Sequence, residues 1–462
     1  MPEAHPARSR AHWCFFAYNL LMAVLLPVLL CLVAWKMLRT REDRVGFSER
    51  LGAVPPAAAA LASHEDPVVW FHACSVGEVS AVDPIVRLLR EVEPLAHIVL
   101  STTTRTGREA ARQRGLELDA LLYFPFDLPF VVTHVLDAVK PDLLVMVETE
   151  LWPNILAAAH DAGVRTAVVN GRISDRAFPR DRLIGPIFAW TLRTMSALLT
   201  QSEKDAERFR ALGAPAERVQ VLGNSKFDER TPAVSAAEAD MLRLELGLAP
   251  GAPVLVAGST REGEEQKILD AFDILRQERR DLQLIIAPRH PERGDAVARL
   301  LTEHGYAVHR RSRSLATEGG APETPTDSQV RIVVLDTLGE LTKVYALATV
   351  VFVGGSLVPW GGHNLLQPIA QGKPTLMGPY MHNQKGLAEI ALAEGAAETV
   401  RNPQELAAAV GRLIASPAEQ ELFAARGRAM LERHRGASRR YAEALAELLP
   451  RHGAVPSSSV AA

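Results

Sequence analysis

The sequence predicts an α/β protein of two Rossmann-like, doubly wound domains facing a cleft, with one transmembrane helix at the N-terminus. Three observations carry this reading. Short apolar runs alternate with helical patterns from Pro67 to about Gly223, and again from Val254 to Val400. A Pro-containing break, Glu229 to Pro253, separates the two series. Glycine-rich or charged turns close many of the apolar runs, and the C-terminal ends of parallel strands are where open α/β sheets bind ligands.

The N-terminus comes first. Phe15 to Trp35 is almost unbroken apolar sequence, near the ~20 residues that cross a bilayer. Lys36, Arg39, Arg41 and Arg44 follow it, against Arg8 and Arg10 before it. The positive-inside rule then predicts a single-pass anchor at residues 1–44, with everything after it on the cytoplasmic face of the inner membrane. With 51 Lys and Arg against 54 Asp and Glu, the net charge of -3 gives no general attraction for nucleic acid. Cys14, Cys31 and Cys74 form no CxxC pair, which fits a reducing compartment.

The first domain is expected at 45–235, with strands at Val68–Ala73, His97–Thr103, Ala120–Pro125, Asp142–Val147, Thr166–Asn170, Ala197–Gln201 and Val219–Gly223. HACSVGEV ends the first strand and puts Glu78 in a helix's first turn. A carboxylate there can serve the helix dipole alone; it is also placed to take a proton from a substrate hydroxyl. ETELWPN sets Glu148 and Glu150 at the end of a strand predicted to be central. Buried carboxylates need a positive partner, and GNSKFD offers Lys226 from another strand end. On these grounds a structural ion pair and a catalytic one stand level.

The second domain is expected at 236–450, with strands at Val254–Ala257, Leu282–Ala287, Ala307–Arg310, Arg331–Leu335, Thr349–Val353, Pro374–Met377 and Ala397–Val400. GSTREGEE, APRHPER, DTLGEL and GGSLVPWGGHNLLQP close four of them. Glycine admits close backbone approach, and the first amides of a helix face an anion. Ser259, Thr260, Gly355 and Ser356 are therefore candidates for a phosphate cradle, and Arg289 for a bidentate phosphate contact. GxGxxG and GxxxxGK[ST] are both absent, which argues against a dinucleotide or P-loop site. No Asp-x-Asp or His cluster suggests a metal. Ser312–Ser328 reads as a mobile loop and 451–462 as a disordered tail.

Taken together, HACSVGEV, STTTRTG, YFPFD, ETELWPN, NGRISD, GNSKFD, GSTREGEE, APRHPER, DTLGEL and GGSLVPWGGHNLLQP resemble the Kdo (3-deoxy-D-manno-octulosonic acid) transferases of lipopolysaccharide synthesis. The resemblance implies a GT-B glycosyltransferase fold and inverting transfer from CMP-Kdo to a lipid A precursor (lipid IVA), without a metal or other cofactor. It implies Glu78 as general base, assisted by Glu148 and Lys226. CMP contacts fall on Pro288, Arg289, Leu338, Gly339, Glu340, Asn364, Leu365, Leu366 and Gln367. Two positions depart from the family pattern: Gln367 stands where Glu is usual, and Arg261 where His is common. The competing readings are another membrane-anchored GT-B enzyme using a UDP-sugar and a catalytically silent nucleotide-binding scaffold.

Overall fold

The computed structural model describes residues 13, 15–25, 27, 41–182, 185–316 and 331–450. Two compact units divide the chain: Met1–Glu229 with His434–Ala462, and Arg230–Arg433.

The first unit holds strands β1 Val68–His72, β2 His97–Thr102, β3 Ala120–Tyr123, β4 Leu143–Val147, β5 Arg165–Gly171, β6 Ala197–Thr200 and β7 Val219–Val221. They form one seven-stranded sheet, in the order β3-β2-β1-β4-β5-β6-β7. Every pairing is parallel; Val69 lies between Ile98 and Leu143 in register. Parallel strands are covered on both faces, which is why these runs are apolar throughout. Trp70, Val99 and Leu144 pack on one side, while Phe71, Ile98, Leu100 and Val145 pack on the other with Ile85 and Leu89.

The second unit repeats the plan with β8 Val254–Thr260, β9 Gln283–Pro288, β10 Ala307–Arg310, β11 Arg331–Val334, β12 Val350–Val353, β13 Thr375–Met377 and β14 Ala397–Thr399. Its seven strands run in the order β10-β11-β9-β8-β12-β13-β14. In each sheet the winding reverses at one place, between β1 and β4 and between β8 and β12. Such switch points open a crevice at the strand C-termini.

At the C-terminus the structure departs from the sequence-based division. The helix Ala437–Ala446, expected in the second domain, belongs to the first unit. Its Tyr441, Ala442 and Leu445 join the core beside Ile85 and Leu89. Asp228 fixes its start by accepting hydrogen bonds from Gly436 N and Ser438 N, each 2.7 Å. Gly436 takes φ +85° at that turn, a conformation that favours glycine.

Residues 15–25 are helical and engage the first unit through side chains. Tyr18 donates to Asp127 at 2.9 Å, Asn154 donates to Asn19 at 2.7 Å, and Phe15 meets the Trp190 ring edge-on at 5.0 Å. Trp13, Phe16, Leu20, Leu21 and Val24 are exposed. Among the described residues no helix is long and apolar enough to cross a membrane. Leu26 and most of the later half of the expected anchor, 28–35, lie outside them, as do the tail 451–462 and most of the expected loop, 317–328.

Asp228→Ala removes the cap on the returning helix. It is expected to cost about 1–2 kcal/mol, read as a lower urea midpoint for the first unit with the second unit's transition unmoved. An unchanged midpoint would show that the helix holds by apolar packing alone.

Candidate active site

Glu78 follows β1 and Glu148 follows β4, so the two stand at the C-terminal ends of the strands flanking the first switch point. The helix Val76–Val92 begins at once after Ser75, and Glu78 lies in its first turn. The Cys74 amide donates to Glu78 Oε2 at 2.7 Å, and the Ser75 hydroxyl to Oε1 at 3.0 Å. These bonds fix the half-buried carboxyl without consuming all of its lone pairs.

Glu148 is 5% exposed and has φ +59°. A non-glycine residue in this region stores strain that its surroundings must over-determine. The surroundings here are two cations. Lys226 Nζ lies 2.8 Å from Oε1 and Arg172 Nε 2.6 Å from Oε2. Burial alone would raise this carboxyl, but Lys226 and then Arg172 hold it below the usual range. Glu150 accepts a 2.9 Å bond from Trp152 Nε1; burial pushes it up. Glu78 is driven furthest, to about 8, by burial first and then by the negative charges of Glu148 and Glu150.

His72, the last residue of β1, is fully buried and stacked on Phe124 with centroids 3.7 Å apart. Its Nδ1 faces the Ser101 carbonyl oxygen at 3.2 Å. It also lies 3.1 Å from the Ser101 hydroxyl, which can donate to it, so either tautomer satisfies Nδ1. Asp127 ties two further motifs together. It accepts from Asn154 N (3.0 Å) and Ile155 N (2.9 Å), capping the helix that begins within ETELWPN.

In the second unit the Gly-rich loop after β12 and the turn after β8 meet at the other switch point. Gly354 is required there: a Cβ would stand 2.6 Å from Ser259 O. The cradle exists, but the anion in it is the protein's own. Glu264, fully buried, accepts from Gly355 N (2.6 Å), Ser356 N (2.9 Å), Leu357 N (2.8 Å) and Arg261 N (3.2 Å). The amides of Gly355 and Ser356 are thus committed inside the protein. The Thr260 hydroxyl donates to Glu265 at 3.0 Å, and the Ser356 hydroxyl is shared between Val353 O and Gly378 N. Ser259, at φ +58°, is the remaining member of the expected phosphate set.

The residues expected to touch CMP occupy the same strand edge. Pro288 ends β9, and Arg289 N donates to Thr260 O at 3.0 Å. Leu338 is exposed, Gly339 has φ +86°, and Glu340 pairs with Arg311 at 2.8 Å and with the Thr337 hydroxyl. Asn364 accepts from Leu366 N at 2.9 Å, opening the short helix Leu366–Ala370; Leu365 and Leu366 are buried and Gln367 half-buried. Arg261 donates to His363 Nε2 at 3.3 Å and lies 2.7 Å from His290 Nε2. Its guanidinium stands 5.0 Å over the Trp360 ring. Burial, Arg289 and Arg261 push His363 down to about 3.

Three functional side chains escaped the sequence reading. Arg172 sits just past β5, beside β4, and its place in NGRISD was the available signal. Glu264 was hidden among the three glutamates of GSTREGEE. Nothing in the sequence marked His72 beyond its strand-end position.

Removing the Glu148 charge tests the network. Glu148→Gln leaves Lys226 buried without a counter-charge and is expected to cost about 3 kcal/mol. The pair Glu148→Leu with Lys226→Met should recover much of that loss, as a double-mutant cycle in urea would show. The sign with pH follows. A depressed carboxyl contributes stability above the ordinary carboxylate range and loses it as pH falls through its folded value.

Comparison with known proteins agrees across both units. Residues 45–229 match the family model described as 3-deoxy-D-manno-octulosonic-acid transferase (kdotransferase). The 3-deoxy-D-manno-octulosonic acid transferase of Haemophilus influenzae is 30% identical, over 95% of this chain and 100% of its own. That of Bordetella pertussis is 33% identical, over 94% and 99%. The crystal structure of UDP-GlcNAc 2-epimerase from Neisseria meningitidis bound to UDP-GlcNAc has a TM-score of 0.55, covering 82% of this chain and 98% of that one at 12% identity. That likeness concerns the fold, a GT-B-like pair of parallel sheets. With two relatives matched over nearly their whole length, the chain belongs to the 3-deoxy-D-manno-octulosonic acid transferase family and is a glycosyltransferase.

Proposed function

We propose that this transferase moves Kdo from CMP-Kdo to a primary hydroxyl of a lipid A precursor such as lipid IVA, with inversion, and that Glu78 is the general base. The single observation behind this reading is the Glu78 carboxyl, held by two hydrogen bonds and pushed up to about 8. A base is most effective when its pKa lies near the working pH. As the acceptor oxygen bonds to the anomeric carbon, its proton passes to a Glu78 oxygen. The bond from that carbon to the CMP phosphate oxygen breaks, and its electron pair leaves with CMP.

Arg261 and Arg289 are the cations we assign to the departing phosphate, since the amide cradle is filled by Glu264. Fixed cations can stabilise such a leaving group, so the reading uses no metal cofactor. Lys226 and Arg172 offset the charge of Glu148 beside the base. We place the protein at the inner membrane, catalytic units on the cytoplasmic face. The apolar run Phe15–Trp35, its basic flank and the exposed Trp13, Phe16, Leu20, Leu21 and Val24 support that placement. Incubation of the full chain with CMP-Kdo and a tetra-acylated lipid A precursor should add the mass of Kdo to the acceptor. Turnover of a UDP-sugar with none of CMP-Kdo would overturn the donor assignment.

Two outcomes follow from the raised carboxyl. Since the base must be ionised, kcat/KM should climb with pH and level off above about 8. Glu78→Gln should lower turnover roughly 10²-fold or more and abolish that titration. Stability runs the other way. A carboxyl raised above its unfolded value binds its proton more tightly when folded, so ionising it costs stability as pH rises from the ordinary carboxylate range through about 8. Glu78→Gln should therefore melt higher than the parent above that pH. A variant that keeps near-parental turnover would remove Glu78 from the mechanism.

A further inference from the structure

The crevice that holds Glu78 carries more ligand atoms than a base requires. The Cys74 thiol and the carboxylates of Glu78 and Glu150 each offer one atom, and these lie within 4.8 Å of one another. His72 supplies an independent observation. Its side chain is fully buried, its Nε2 has no hydrogen-bond partner, and that atom stands 3.9 Å from Glu150 Oε2. In the tautomer that donates Nδ1–H to Ser101 O at 3.2 Å, Nε2 directs a lone pair toward a carboxylate that also bears lone pairs. Two acceptors facing each other in a buried place are repulsive until a cation or a proton comes between them.

We propose that Cys74, His72, Glu78 and Glu150 form an inhibitory site for a thiophilic divalent cation, zinc above all. The donor set of one thiolate, one imidazole and two carboxylates is one that zinc accepts in tetrahedral geometry. Ligand atoms about 2.0–2.3 Å from zinc stand roughly 3.3–3.7 Å apart. The group of Cys74, Glu78 and Glu150 therefore has to contract by about 1 Å, and His72 Nε2, outside that group and 3.9 Å from Glu150 Oε2, joins it only as the three draw toward the ring. The Nδ1–H bond to a backbone carbonyl is the outer contact that orients ligating histidines elsewhere. Burial and the nearby carboxylates push the free Cys74 thiol up to about 11; zinc reverses that field, and binding releases the thiol proton to solvent. A cation held through Glu78 occupies the oxygen that would take the acceptor's proton, so occupancy blocks transfer. The inhibition rests on the proposed role of Glu78, whereas the binding does not.

The test uses the full chain in detergent, stripped with EDTA and titrated with zinc alone. One zinc per chain is expected by calorimetry and by metal analysis after gel filtration. Cobalt should give tetrahedral visible bands with a thiolate charge-transfer band. Cys74→Ala, melting like the parent in EDTA, should bind zinc at least about 10-fold more weakly and lack the charge-transfer band. Glu150→Gln should weaken zinc while keeping that band. No zinc retained by the parent, or equal retention by Cys74→Ala, would overturn the site. In the transfer assay, zinc should suppress the parent at concentrations that leave whatever activity Cys74→Ala has unaffected. Zinc binding at this site without inhibition would keep the metal site and discard its consequence for the base.

Discussion

The carboxylate of Glu148, gripped by Lys226 and Arg172, is the interaction on which the first unit's working edge depends. It ties the paired ends of β4 and β5 to the segment after β7, a strand that lies two places from β5 in the sheet. Its left-handed backbone is tolerable because the two cations leave the carboxylate nowhere better to go. Glu78 is tuned from this arrangement. It feels the negative charge of Glu148 and Glu150 in a poorly solvated place, while Lys226 and Arg172 keep the cluster from accumulating unbalanced charge.

The second sheet answers the same problem with different chemistry. Glu264 is as deeply buried as Glu148, yet its partners are backbone amides. The contrast shows in their acidities. Two full positive charges outweigh burial at Glu148 and depress it, whereas four amide dipoles at Glu264 do not, and it stays raised. Each switch point is thus closed by a buried carboxylate. At the first, charged side chains hydrogen-bond that carboxylate; at the second, backbone amides do.

The fold was legible because parallel strands advertise themselves as short, unbroken apolar runs. Each run from Val68 to Val400 became a strand, with ends displaced by at most two residues except at Val254–Ala257, whose strand runs three residues further, to Thr260. Ala437–Ala446 went to the wrong unit because an amphipathic helix shows that it has an apolar face, not which core receives it. The site followed a similar division. Glu78, Glu148 and Lys226 stood out as charges at strand ends, and the last two do meet. The Gly354 loop was read as a cradle for a ligand's phosphate, but glycines report that amides are available, never what fills them, and here Glu264 does. Glu264 reaches them from 91 residues away in the chain. Arg172 shares that obscurity: its partner became apparent only once β4 and β5 were neighbours.

Asp127 joins the helical residues 15–25, through Tyr18, to the helix that starts in ETELWPN, through two amides. A flexible tether would let a domain tumble over whatever surface holds its end. A bonded helix instead fixes azimuth and tilt, so the first unit would present one face, at one height, to that surface. On the proposed bilayer an acceptor held in the same plane is sought in two dimensions rather than three, and its local concentration rises without any gain in contact energy. Affinity for the acceptor's headgroup can then stay weak, and a weakly held product is released readily.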